Sequence, residues 1–121
     1  MDKTYDSANV FARILRGEVP CTRVYEDGYA LAFPDIAPRA PAHILVIPKG
    51  PYTDVADFSA RATAAEIEGF WRAVAKVAQE QGLDAFRLIA NTGAAAGQEV
   101  GHFHVHLLAG RPLGPMVSGA L

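Results

Sequence analysis

The run His102-Phe103-His104-Val105-His106-Leu107-Leu108 constrains this chain more than any other segment, because imidazoles alternate there with large apolar side chains. In an extended strand successive side chains leave on opposite faces, so His102, His104 and His106 share one face, roughly 7 Å apart from one to the next. Phe103, Val105 and Leu107 share the other. A strand of this kind calls for a sheet with a packed core on one side and a chemically active wall on the other.

The remaining segments supply such a sheet. Val10, Phe11, Ile14 and Leu15 recur at helical spacing after Ser7, a capping residue, and before Gly17, which predicts a short helix. Residues 21–25 and 29–33 are β-prone and flank the turn signal Glu26-Asp27-Gly28, so they read as a hairpin. Pro34, Pro38 and Pro41 punctuate a loop, and His43 to Ile47 forms a third strand ended by Pro48. Thr63 and Glu66 make a capping-box pattern ahead of the stripe Ile67, Phe70, Trp71, Val74, Val77 and Ala78, a long helix that stops near Gly82. Residues 87–90 form a short strand and 91–101 a loop rich in small residues, ahead of the histidine strand. The expected fold is α+β, an antiparallel five-stranded sheet with one long and one short helix, because links this short do not allow parallel crossovers throughout.

A chain of 121 residues fits one domain, 1–121, and its net charge of −2 with scattered basic residues argues against binding nucleic acid or an anionic membrane surface. Cys21 is the single cysteine, which favours a reducing compartment. No apolar run reaches membrane-span length and the first residues do not resemble a secretory signal, so the expected location is cytoplasmic.

Three histidines on one face admit three readings. As mere packing they are poor, since each buried imidazole needs a polar partner. As a metal site, a His-x-His pair could be completed by His43 or Glu99. As a nucleophilic site, an imidazole with an ordinary pKa near ~6.5 is largely neutral at pH 7 and can attack phosphorus without a strong base. The loop Gly93-Ala94-Ala95-Ala96-Gly97-Gln98, just ahead of the strand, lets backbone N–H groups approach an anion closely and favours the third reading.

The histidine strand resembles the His-x-His-x-His-x-x signature of the histidine triad (HIT) superfamily. The similarity extends through residues 10–20, 31–38, 41–49, 91–93 and 109–115, and is greatest to the Hint branch, the purine nucleoside phosphoramidases. That resemblance implies a hydrolase of adenosine or guanosine 5′-phosphoramidates, or of acyl-adenylates, working through a nucleotidyl-histidine intermediate. It implies His104 as nucleophile, His106 and His43 as phosphate contacts that support proton transfer, and His102 as backbone support. A carbonyl, expected from His102, would hold the other ring nitrogen of His104.

Asp35 matches the ribose-binding acid, while Val10, Phe11, Ile14, Phe33 and Ile36 would form an apolar slot for the base. Asn91, Gly97, Gln98 and Val100 match phosphate-loop positions. Glu99 stands where animal Hint proteins have serine, and its backbone N–H suits a phosphate better than its side chain does.

Zinc-binding members use positions that are Asn9, Ala12 and Pro51 here, so no metal and no cofactor is expected. The lack of an extended C-terminal domain argues against the galactose-1-phosphate uridylyltransferase branch. The resemblance also implies a homodimer, with which the Trp71 stripe is compatible. A dinucleoside polyphosphate hydrolase and a non-catalytic purine nucleotide-binding module are the alternatives.

Overall fold

The computed structural model describes residues 4–117; the first three residues of the segment read as lacking a secretory signal lie outside them. In chain order the elements are α1 (Val10–Leu15), β1 (Tyr25–Glu26), β2 (Ala30–Pro34), β3 (Ala42–Pro48), α2 (Val55–Arg61), α3 (Ala64–Glu80), β4 (Phe86–Ile89) and β5 (Val105–Ala109). The strands form one five-stranded sheet in the order β1-β2-β3-β5-β4, with every pair antiparallel. None of the described helices is long and apolar enough to cross a membrane.

Alternation along the strands divides the interior in two. One face of the sheet carries Ala30, Ala32, Ile44, Val46, Val105 and Leu107, and packs with Phe58 of α2, with Phe70, Val74 and Val77 of α3, and with Phe103. The other carries Leu31, Phe33, Leu45 and Ile47 against Phe11 and Ile14 of α1. Phe103, Val105 and Leu107 therefore enter the core that the alternation assigned to them. The short α1 covers only part of its face, and this leaves room for a cleft beside it.

The helix ends follow capping chemistry. Both halves of the Thr63–Glu66 capping box are present at the start of α3. At α1 the cap is Asn9, not Ser7: Asn9 Oδ1 accepts from the Ala12 N–H at 2.9 Å, while its Nδ2 donates to the Asp6 carbonyl at 2.7 Å. Both residue types cap well, and the amide of Asn9 both donates and accepts, so it satisfies two backbone groups at once.

The sequence reading passes over α2. Phe58 is its one buried residue, so it has no apolar stripe; Asp54 caps it by accepting from the Asp57 N–H at 2.8 Å. Strand bounds also shift. β1 begins only at Tyr25, β3 runs from Ala42 through Pro48, β4 starts at Phe86, and β5 starts at Val105, so His102 sits at a bend and Phe103 and His104 precede the ladder. Within α3, Gly69 makes room for Tyr29: a Cβ there would stand 2.3 Å from the tyrosine ring.

Candidate active site

A cleft of about 1000 Å³ opens on the α1 side of the sheet, within the size range of small-molecule sites. His43, His104 and His106 line it together with Asp35, Asn91, Gly97, Glu99 and Val100. Its apolar wall includes Val10, Phe11, Ile14, Phe33 and Ile36, the slot anticipated from sequence. Val10 and Ile36 are exposed at the rim, whereas Phe11, Ile14 and Phe33 are buried. The sheet register explains the grouping of the histidines: Leu45 faces His106 and His43 faces Leu108 across β3 and β5, so His43 and His106 are diagonal neighbours on one face.

His104 is held from behind. Its Nδ1 lies 2.7 Å from the His102 carbonyl oxygen, which can only accept, so Nδ1 carries the proton. Nε2 is then the unprotonated nitrogen and has no hydrogen-bond partner among the described residues. Phe11 packs edge-on against the ring with centroids 5.0 Å apart, and His106 does so at 5.1 Å. Burial lowers the pKa of His104, opposed by the bond it donates to the His102 carbonyl and by the negative charges of Asp35 and Glu99. The ring is therefore neutral at pH 7 and presents a lone pair.

The tautomers of His43 and His106 follow from one backbone amide. The Arg39 N–H donates to His43 Nδ1 at 3.0 Å, which leaves the proton of the neutral ring on Nε2. His43 Nε2 lies 2.9 Å from His106 Nδ1 and donates to it, so His106 carries its own proton on Nε2. Burial lowers the pKa of both; for His106, the neighbouring His104 and His43 push the same way, down to about 4. One imidazole thus offers a lone pair to the cleft, and its neighbour is left with an N–H to donate.

Asp35 directly follows β2 and is partly exposed. Its Oδ1 accepts from the Ala37 N–H at 2.8 Å, and its Oδ2 lies 3.4 Å from His43 Nε2. Among the described residues, Asp35, His43 and His106 are one set able to hold a metal ion, with donor atoms within 4.8 Å of one another. The Arg39 amide opposes that use. A metal on His43 Nε2 would require the proton on Nδ1, where it would meet the Arg39 N–H head-on. Glu99, the other carboxylate considered for a metal, is exposed on the cleft wall outside this set.

Two anticipated residues have other places. His102 is fully buried at 0% exposure and does not line the cleft; its ring is bonded to Tyr5 and to the Pro48 carbonyl, in keeping with a supporting role. Gln98 does not offer its amide to the cleft. Its Nε2 donates to the carbonyls of Thr53 at 2.7 Å and Val100 at 3.0 Å, while Oε1 accepts from the Gly93 N–H at 2.9 Å. Gln98 braces the small-residue loop, and Gly97, at a φ of +96°, turns that loop where a side chain would be strained.

The cleft also includes Arg39, Cys21 and Val19, none of which the sequence places in a site. Arg39 could have been suspected as the one cation between Asp35 and His43. Tyr5 carries no sequence signal at all.

The HIT domain family model matches residues 16–113. A 13.2 kDa HIT-like protein in the hisE 3′ region of Azospirillum brasilense is 60% identical, with 98% of each chain covered. The purine nucleoside phosphoramidase of Escherichia coli K12 is 46% identical, covering 90% of this chain and 92% of its own. Among solved structures, a HIT family hydrolase from Clostridium thermocellum superposes with a TM-score of 0.83 at 39% identity, covering 93% of this chain and 98% of that one.

Proposed function

This chain belongs to the HIT domain family, and on that premise we propose that it hydrolyses nucleoside 5′-phosphoramidates of adenosine or guanosine, and related acyl-adenylates, through a covalent nucleotidyl-histidine. The observation that carries this reading is the state of His104. Its Nδ1–H is tied to the His102 carbonyl, and this leaves Nε2 as a neutral nucleophile on the cleft wall.

In the proposed reaction, His104 Nε2 forms a bond to phosphorus as the phosphorus–nitrogen bond breaks, and the nitrogen takes a proton drawn from solvent and leaves as the amine; in an acyl-adenylate the phosphorus–oxygen bond breaks and a carboxylate leaves. Water then cleaves the phosphohistidine and frees the nucleoside monophosphate. The His106 Nε2–H donates to a phosphate oxygen, and His43 holds His106 in that tautomer. The free lone pairs of the Asp35 carboxylate accept from ribose hydroxyls, and the base lies between Phe11, Ile14, Phe33 and the rim residues Val10 and Ile36. Asn91 and the backbone around Gly97, Glu99 and Val100 face the phosphate. Glu99 adds negative charge near His104, which suits a cationic leaving amine.

The same reading includes a homodimer. The apolar exposure of Trp71 on α3 and of Phe86 and Leu88 on edge strand β4 supports it. It also includes a cytoplasmic setting.

Rapid quenching with adenosine phosphoramidate followed by mass spectrometry tests the reaction. An acid-labile nucleotidyl adduct on His104 is expected, and His104→Ala should lose it while binding AMP within about tenfold of wild type. Turnover that survives in His104→Ala would refute the covalent route, and AMP binding without any turnover of wild type would favour the binding module.

A further inference from the structure

We propose that Tyr5 is a positioning residue for the nucleophile, acting through the buried ring of His102. The inference rests on the reaction proposed above only for its kinetic arm. Tyr5 lies before α1 and does not line the cleft, yet its hydroxyl is 2.6 Å from His102 Nδ1, across 97 residues of sequence.

The direction of each bond is set by chemistry. His102 Nε2 is 2.8 Å from the Pro48 carbonyl oxygen, which only accepts, so Nε2 carries the proton. In the neutral ring Nδ1 is then an acceptor, and the Tyr5 hydroxyl donates to it. The same residue's carbonyl accepts from His104 Nδ1 at 2.7 Å. Side chain and main chain of His102 are therefore fixed together: the ring between Tyr5 and Pro48, the carbonyl against the nucleophile.

This fixing matters because His102 to His104 precede β5 and have no sheet ladder to hold their peptide planes. Phe103 N–H is bonded to the Tyr52 carbonyl at 2.7 Å, which secures the peptide group whose oxygen His104 uses from one side only. The ring of His102 secures it from the other. The Tyr5 and His102 rings also pack edge-on, with centroids 5.6 Å apart, and His102 packs against Phe11, 6.4 Å away, which in turn touches His104. Without the hydroxyl, Nδ1 becomes a buried acceptor with no donor. The ring then relaxes by turning over or changing tautomer, and in either case the bond to Pro48 is given up.

Tyr5→Phe tests the inference, since it removes one oxygen and keeps the ring contact. Tyr25→Phe is the control: it deletes another hydroxyl bond, to Asp27 Oδ2, on a hairpin away from the cleft. Two readouts are taken. With adenosine phosphoramidate, Tyr5→Phe should lower kcat by about tenfold and leave KM within about twofold, whereas Tyr25→Phe should change neither. By nitrogen-15 NMR, His102 should leave its single Nε2–H tautomer in Tyr5→Phe, and the His104 Nδ1 proton should exchange with solvent about tenfold faster.

Unchanged exchange and an unchanged His102 tautomer in Tyr5→Phe would overturn the inference, as would a rise in KM with kcat unaltered. A wild type inactive on the phosphoramidate would instead sink the proposed reaction, and the NMR readout would still decide the role of Tyr5.

Discussion

Acid should unfold this protein through its histidines before it reaches its carboxylates, and His102 gives the size of the effect. The ring has no exposure to solvent, and burial together with the charge of His104 pushes its pKa down to about 4, against the bond to Pro48. In the unfolded chain the same group titrates near ~6.5. Because the folded pKa is the lower one, the unfolded state binds more protons between these values. Stability from this group is therefore complete above about pH 6.5 and is lost as pH falls toward about 4.

At pH 5 the loss from His102 alone comes to about 2 kcal/mol relative to pH 7.5, or a fall in Tm of roughly 5–10 °C for a chain of this size. His106 adds to the loss in the same window, since its pKa is also lowered to about 4. The most strongly shifted carboxylate, Asp57, is held down to about 2 mainly by Arg61, so its contribution is lost below that window. Urea unfolding at pH 7.5, 6 and 5, for wild type and His102→Gln, measures the effect. The variant should be less stable at neutral pH but should lose distinctly less on going to pH 5. Stability that stays flat from pH 7.5 to 5, or equal slopes for the two proteins, would refute the assignment of a buried neutral ring.

Gln98→Ala should cost about 1–2 kcal/mol in urea unfolding and raise KM for the nucleotide about threefold with kcat less affected, because three hydrogen bonds that brace the loop are lost together. A chelator should leave turnover unchanged, given the tautomer that the Arg39 amide imposes on His43. If activity instead vanished with chelation and returned with zinc, the set Asp35, His43 and His106 would become a metal centre.

The parts of this molecule legible in the sequence are those governed by periodicity and local chemistry. Alternation alone sorted Phe103, Val105 and Leu107 into the core and put His104 and His106 on the cleft side. The capping box of α3 follows from Thr63 and Glu66, and the hairpin turn from Glu26-Asp27-Gly28. The carbonyl of His102 as partner of His104 comes with the resemblance to the histidine triad superfamily, not from periodicity.

What the sequence does not carry is depth and long-range pairing. His102 obeys the same alternation as His104, yet it lies buried under α1 and the N-terminal segment, and no pattern signals that Tyr5 will meet it. Gln98 looked like a phosphate donor because an amide in a glycine-rich loop has that chemistry. Its actual partners include Thr53, 45 residues away, and only the fold brings them together. The helix around Phe58 was missed because one buried side chain makes no stripe.

The hydrogen-bonded line from Arg39 through His43 to His106 has a direction, and its far end is a peptide amide, which gives up no proton near neutral pH. Such a line can orient charge but cannot replenish it. In the proposed reaction the His106 proton can thus be given up only once before it is restored from the solvent-facing side, so each turnover draws a departing amine's proton ultimately from water or from the substrate. The protonation habits of the leaving group, rather than those of the imidazole wall, should then govern which compounds this protein turns over fastest.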